Sequence, residues 1–148
     1  MSTRATVTFS ENGVNLVKLY NHWDGYPTGL GNDIAEWLND MRVGNGISLG
    51  DNTYFANGAG CLVAQFIRDF KAEPGGLYVI PIDADCEEYN YYINIDYDDR
   101  GTVPCKDVCK IKVTQGLYDF EAKEDYENTI FDGNLEEFHQ WIIDNGDQ

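Results

Sequence analysis

The stretch ATVTFSENGVNLVKLY, residues 5–20, constrains the fold more than any other part of the chain. Two β-rich runs flank Asn12-Gly13, a pair that tolerates positive φ at both central positions of a type I′ turn. The segment therefore reads as a hairpin closed by a two-residue loop. Further along, EYNYYINIDYDD alternates: Tyr89, Tyr91, Ile93, Ile95 and Tyr97 share one face, and Asn90, Tyr92, Asn94 and Asp96 the other. One face is thus expected to be buried and the other wet. VCKIKVT alternates too, with Cys109, Ile111 and Val113 inward and Lys110 and Lys112 outward, so it is expected to pair antiparallel with the tyrosine strand. GLYVIPID reads as a short strand, which Pro81 assigns to an edge or a bulge.

Helical spacing appears three times. NDIAEWLNDM places Ile34, Trp37, Leu38 and Met41 on one stripe, with Thr28 or Asn32 as the expected N-cap. GAGCLVAQFIRDFK does the same with Leu62, Val63, Phe66, Ile67 and Phe70. Asn134 caps LEEFHQWIID, and Glu137 three residues on completes a capping box. Between the first two helices, the Gly/Asn-rich residues 43–58 read as a loop with a short strand at 47–49, long enough for a lid. Residues 114–133 read either as strand or as an irregular acidic excursion. Hairpins with helices clustered between them give an α+β fold: a single domain, residues 1–148, with a mainly antiparallel sheet and about three helices packed on one face. Within it, residues 14–97 carry the motifs and 114–148 form an acidic part ending in a helix.

The charge is lopsided. Residues 1–82 hold eight acids and five bases, whereas residues 83–148 hold eighteen acids and five bases, for a net charge of −16. Such a molecule repels nucleic acid and anionic lipid, so direct nucleic-acid or membrane binding is not expected. An acidic face suits a basic groove on another protein instead, and the charges that would carry it fall in residues 83–99 and 119–137. No apolar run approaches the roughly 20 residues of a membrane span, and the start of the chain lacks signal-peptide features, so a cytoplasmic protein is expected. Cys61, Cys86, Cys105 and Cys109 are then expected as free thiols, buried or half-buried. Cys105 and Cys109 lie four apart with no second pair at ligand spacing and only His22 and His139 elsewhere, which implies no metal and no cofactor.

The densest run of special residues is LYNHWDGYPTGLG, residues 19–31. It joins a strand to a helix. A structural corner accounts for Asp24-Gly25 as a tight turn and for Pro27 as a fixed φ. A binding role accounts for the rest. The helix start would offer unpaired N–H groups to an anion past Gly29 and Gly31, Tyr20, Trp23 and Tyr26 would supply stacking surface, and His22 and Asp24 would supply directional hydrogen bonds. Tyr89 or Tyr91 would complete the pocket. For catalysis, only His22 with Asp24 or Glu88 offers an acid–base pair. Cys61, in the first turn of the second helix, reads as part of an ordinary buried face.

YNHWDGYPTGLG resembles the signature of a group of small proteins, many of them encoded by bacteriophages and prophages. These share a tyrosine, then H-W-D-G-Y-P, then a G-x-G leading into a helix; His22, Asp24, Gly25, Tyr26 and Pro27 match it position by position. The likeness continues loosely into CLVAQFIRDFK, GGLYVIPID and EYNYYI, covering residues 15–95. It implies a phage or mobile-element setting and a shared fold, with no assigned biochemistry. Three functions are compatible with the sequence. The first is a non-catalytic phage-type accessory or counter-defence protein that binds a small anionic ligand, such as a nucleotide immune signal, at the His22–Gly31 turn. The second is an acidic, DNA-mimicking inhibitor of a basic host defence or nucleic-acid enzyme. The third is a hydrolase using His22 and Asp24. A homo-oligomer is compatible with all three.

Overall fold

A computed structural model describes residues 2–45, 54–98 and 101–145. The chain runs β1 (Ala5–Glu11), β2 (Val14–Asn21), a single π-helical turn (Pro27–Gly31) continuous with α1 (Asn32–Asp40), β3 (Arg42–Gly44), β4 (Phe55–Asn57), α2 (Gly58–Phe70), β5 (Leu77–Ile80), β6 (Tyr89–Ile95), β7 (Val103–Pro104), a short 3₁₀ turn (Cys105–Asp107), β8 (Cys109–Asp119), β9 (Glu124–Asn134) and α3 (Leu135–Asn145). The result is the expected single α+β domain with a mainly antiparallel sheet.

Six strands form the main sheet in the order β5-β2-β1-β6-β8-β9. The β1–β2 hairpin closes at Glu11↔Val14, and Asn12 and Gly13 take φ of 50° and 83°, as a type I′ turn requires. β6 lies beside β1 in parallel, pairing Ala5 with Tyr89 and Phe9 with Ile93, and β8 flanks β6 antiparallel. Pro81 follows β5, which occupies an edge as proline near a strand end favours.

The alternation of the strands decides what each face does. Val7, Phe9, Leu19, Tyr91, Ile93, Ile111 and Val113 point to the helices and are buried. Phe66 of α2 meets Phe9 edge-on at 5.0 Å, and Phe138 of α3 meets Tyr91 at 6.5 Å. α3 is fixed at its start by the capping box: Glu137 N–H donates to Asn134 Oδ1 (2.8 Å), and Asn134 N–H donates to Glu137 Oε1 (3.0 Å). On the opposite face, residues 81–88 cross from the β5 edge to β6 as a strap. Lys18 Nζ donates to the Ala84 carbonyl (2.5 Å), and Asn90 exchanges hydrogen bonds with the backbone of Glu87.

Several expectations change. Neither Thr28 nor Asn32 caps the first helix: no side chain caps it, because Pro27 opens a π turn in which the Asn32 N–H reaches back to the Pro27 and Gly29 carbonyls. The loop between the first helices is bracketed by β3 and β4, which pair in parallel and join β7 in a small second sheet. The expected strand at 47–49 lies outside the described residues. Residues 114–133 resolve into the long β8–β9 hairpin, whose register shifts between Val113 and Thr114. Of the four free thiols, Cys105 and Cys109 are buried and Cys61 half-buried, but Cys86 is exposed.

Candidate functional site

The corner at residues 20–31 is a chain path held from within. Asp24 takes φ of 52°, and Gly25 then passes so close to β1 that a methyl group there would lie 2.6 Å from Ala5 Cβ and 2.9 Å from the Thr3 carbonyl oxygen. Gly25 N–H donates to Thr3 O (2.9 Å), and the Gly25 carbonyl accepts from the buried Tyr91 hydroxyl (2.7 Å). At the helix start, Gly29 N–H donates to Tyr26 O (2.9 Å), Leu30 N–H to Asp24 O (2.8 Å) and Gly31 N–H to Tyr26 O (3.4 Å). Three of the amides expected to face an anion are therefore engaged by the corner's own carbonyls. Gly29 and Gly31 permit that packing, since a methyl at Gly29 would sit 2.5 Å from Asp24 O.

The corner's polar side chains pair locally. The Tyr20 hydroxyl and His22 Nδ1 are 2.7 Å apart, and the Tyr26 hydroxyl donates to Asp24 Oδ1 (3.4 Å). Among the described residues no hydrogen bond joins His22 to Asp24 or to Glu88, so the acid–base pair considered from sequence is not assembled. What reaches solvent is aromatic: Trp23 is 56 % exposed and stands edge-on to His22 at 4.4 Å, and Tyr20 lies 5.9 Å from Tyr78 of β5. Tyr91 joins the corner from beneath as a buried pin. Tyr89 is half-buried one register step away, opposite Ala5.

A cleft of about 780 Å³ opens elsewhere, between the strap and the far half of the β8–β9 hairpin. Asp85, Glu87, Glu88, Asp125 and Glu127 line it, and Arg4 is the sole cation among the described residues of its lining. Tyr118, which is exposed and shares the Asp125 face of the hairpin, adds aromatic surface to the wall. Its shape follows from Gly116, where the strap backbone at Glu87 comes so near β8 that any side chain would collide, and where Gly116 N–H donates to Glu88 O (3.0 Å). Thus the two acidic segments that the sequence sets 20 residues apart, 83–99 and 119–137, contribute opposite walls of one cavity.

Electrostatics at the cleft floor are set by a short network. Glu127 Oε1 accepts from Thr114 Oγ1 (2.6 Å) and from the Tyr92 hydroxyl, and Cys86 Sγ lies 3.7 Å from that hydroxyl. Burial pushes the Glu127 carboxyl up, but the hydrogen bonds from Thr114, Tyr92 and Cys86, aided by Lys112, outweigh it and hold the carboxyl below the usual range. Burial and the bond to Glu127 push the Tyr92 hydroxyl far up. Burial likewise raises the Cys86 thiol, with the neighbouring Glu127 adding to it, so this thiol is not an activated nucleophile. A carboxylate with fixed donors and no raised pKa is suited to receiving a cation rather than to passing a proton.

A second, smaller cavity of about 480 Å³ is lined by Asp96, Asp107 and Glu136 against Lys106 and Lys110, a far smaller acid excess than in the first. Among the described residues no three His, Cys, Asp or Glu side chains converge as a metal site, and no helix is long and apolar enough to cross a membrane. Sequence reasoning singled out Glu88 only as a partner for His22. The rest of the cleft was visible only as charge excess, because acids at this density carry no spacing signal of their own. Comparison of the chain with protein-family models, with curated proteins and with solved structures gives no match.

Proposed function

We propose that the protein is a non-catalytic binding module whose acidic cleft receives a basic surface of another protein. The observation that carries this reading is the cleft itself: five carboxylates and one guanidinium facing a cavity of about 780 Å³ on a chain of net charge −16. Opposite potentials of that kind raise association rates and select partners by charge. In the phage setting that the HWDGYP resemblance implies, the partner would be a basic host defence or nucleic-acid enzyme whose substrate groove the acidic face occupies. The small-anion reading at the His22–Gly31 turn has less support, since the amides of Gly29, Leu30 and Gly31 are spent inside the corner. A hydrolase reading has less again, with His22 bound to Tyr20 and Asp24 to Tyr26.

The test compares two variants of equal net charge in capture from host extract. The double variant Asp85→Lys, Asp125→Lys neutralises the cleft; the control Asp40→Lys, Asp144→Lys places the same charges on exposed positions at the ends of α1 and α3. A basic protein retained by the wild type and the control, lost by the cleft variant and released by raised salt, supports the reading. Equal retention by both variants would overturn it.

A further inference from the structure

The two edges of the main sheet are finished differently. β5 is four residues long, is followed by Pro81, and has Lys71 Nζ bonded to the Gly75 and Leu77 carbonyls beside it. Shortness, proline and lysine are the usual means of blunting an edge. β9 has eleven residues and no proline, and no described strand pairs with its outer side. α3 covers only its end, where Phe131 packs on Phe138 and Trp141 at 5.3 Å. Residues 124–129 are exposed throughout.

The register of β9 fixes which way its side chains point. Asp125 pairs with Tyr118, Glu127 with Gly116 and Thr129 with Thr114, and directly opposed residues of an antiparallel pair share a face. That face is the one the strap covers, since Thr114 and Tyr92 both donate to Glu127 there. Asp125 and Glu127 therefore stand along the cleft about 7 Å apart, the two-residue repeat of a strand, with Thr129 next on the same face. A strand laid against this edge would direct every second side chain over the same cleft, toward Asp85 and Glu87 of the strap as well. A second copy of β9 would set carboxylate against carboxylate, and like charges directly opposite are unfavourable. A cationic strand removes that repulsion.

We infer that the outer edge of β9, residues 124–129, receives an extended segment of a partner protein as a seventh strand, with Lys or Arg at alternate positions seated on Asp125, Glu127 and the strap carboxylates. This rests on the cleft being the binding site, and it specifies how the partner's basic surface is presented: as free extended chain, by backbone pairing plus alternate charge. A folded basic surface would use the charge alone.

Three eight-residue peptides distinguish these. One alternates Thr and Lys, one has the same composition with the lysines blocked in pairs, and one is the alternating peptide N-methylated at every second amide. Binding to the full chain is read by amide chemical shifts and hydrogen exchange in low salt. Edge addition predicts that the alternating peptide binds at least tenfold tighter than the other two and slows exchange of amides within 124–129. All three binding alike, with β9 amides unprotected and binding lost in Asp85→Lys, Asp125→Lys, would overturn the added strand while leaving the cleft as the site. Binding of all three that survives those reversals overturns both readings; failure of every peptide to bind overturns the added strand, and the capture experiment then decides the cleft.

Discussion

The aromatic corner at residues 20–31 and the acidic cleft between residues 84–88 and 116–127 are opposites in how they use polar groups. In the corner, backbone and side-chain groups face each other: Gly25 is fixed between Thr3 and Tyr91, the amides of Gly29, Leu30 and Gly31 return to Asp24 and Tyr26, and Tyr20 takes His22. In the cleft, the Asp85 and Asp125 carboxylates stand in solvent, while that of Glu127 is tied down by side-chain hydrogen bonds. A run of unusual residues thus marks a difficult turn of the backbone, and a run of ordinary acids lines a cleft left open to solvent. The region that draws attention in sequence is the better satisfied of the two.

This contrast can be broken most decisively at Gly25. Replacing it by alanine drives a methyl into Ala5 and Thr3, with an expected loss of roughly 3 kcal/mol in denaturant unfolding. A loss below about 1 kcal/mol would mean the corner yields readily enough to reshape around a ligand. Tyr91→Phe keeps the ring packing and removes the hydroxyl from the Gly25 carbonyl, which leaves a buried acceptor unpaired; about 2 kcal/mol is expected. The same measurement on Trp23→Ala, which removes the exposed ring of the corner, separates structural pin from surface ornament and is expected to show well under half of that loss.

The cleft should answer differently. Because the folded state holds the Glu127 carboxyl low, Glu127 contributes stability above the unfolded glutamate value of about 4.3 and loses it as pH falls through the folded value. The wild type is therefore expected to exceed Glu127→Gln in stability near neutral pH, with the gap closing in acid; a gap independent of pH would remove the network from the account. The effect is modest, since Glu127 remains largely solvated. Smallest of all, Asp85→Lys and Asp125→Lys should each change stability by less than about 0.5 kcal/mol, because each sits in solvent among like charges. A large loss at either would show that the cleft carboxylates serve the fold.

Much of the fold is legible in the sequence where one period dominates. The Asn12-Gly13 hairpin, the alternation of residues 89–97, the Asn134 capping box and the three helical stripes each state a local preference that packing then reinforces. What stays hidden is decided by distant contacts. The parallel placement of β6 beside β1 depends on the strap crossing the sheet, and the π turn at Pro27–Gly31 depends on carbonyls offered by Asp24 and Tyr26. VCKIKVT shows the first half of β8 by its alternation, but the rest of the β8–β9 hairpin is obscured by acids and aromatics that satisfy neither a clean two-residue nor a clean helical repeat. The cleft was obscured for a related reason: its walls come from segments whose only shared sequence property is charge.

The place of β1 in the middle of the sheet has a kinetic consequence. Its hairpin with β2 is complete at Asn21, yet its other flank waits for Tyr89–Ile95, 84 positions later, and Thr6 and Ser10 find Asn90 and Asn94 only then. During synthesis this ribbon must stay unzipped on one side until Tyr89–Ile95 has left the ribosome. Closing so long a loop before any contact rewards it makes for slow assembly. The rate of refolding should accordingly respond to changes in the β1–β6 seam far more than to any change at the hairpin tip that β8 and β9 form between themselves.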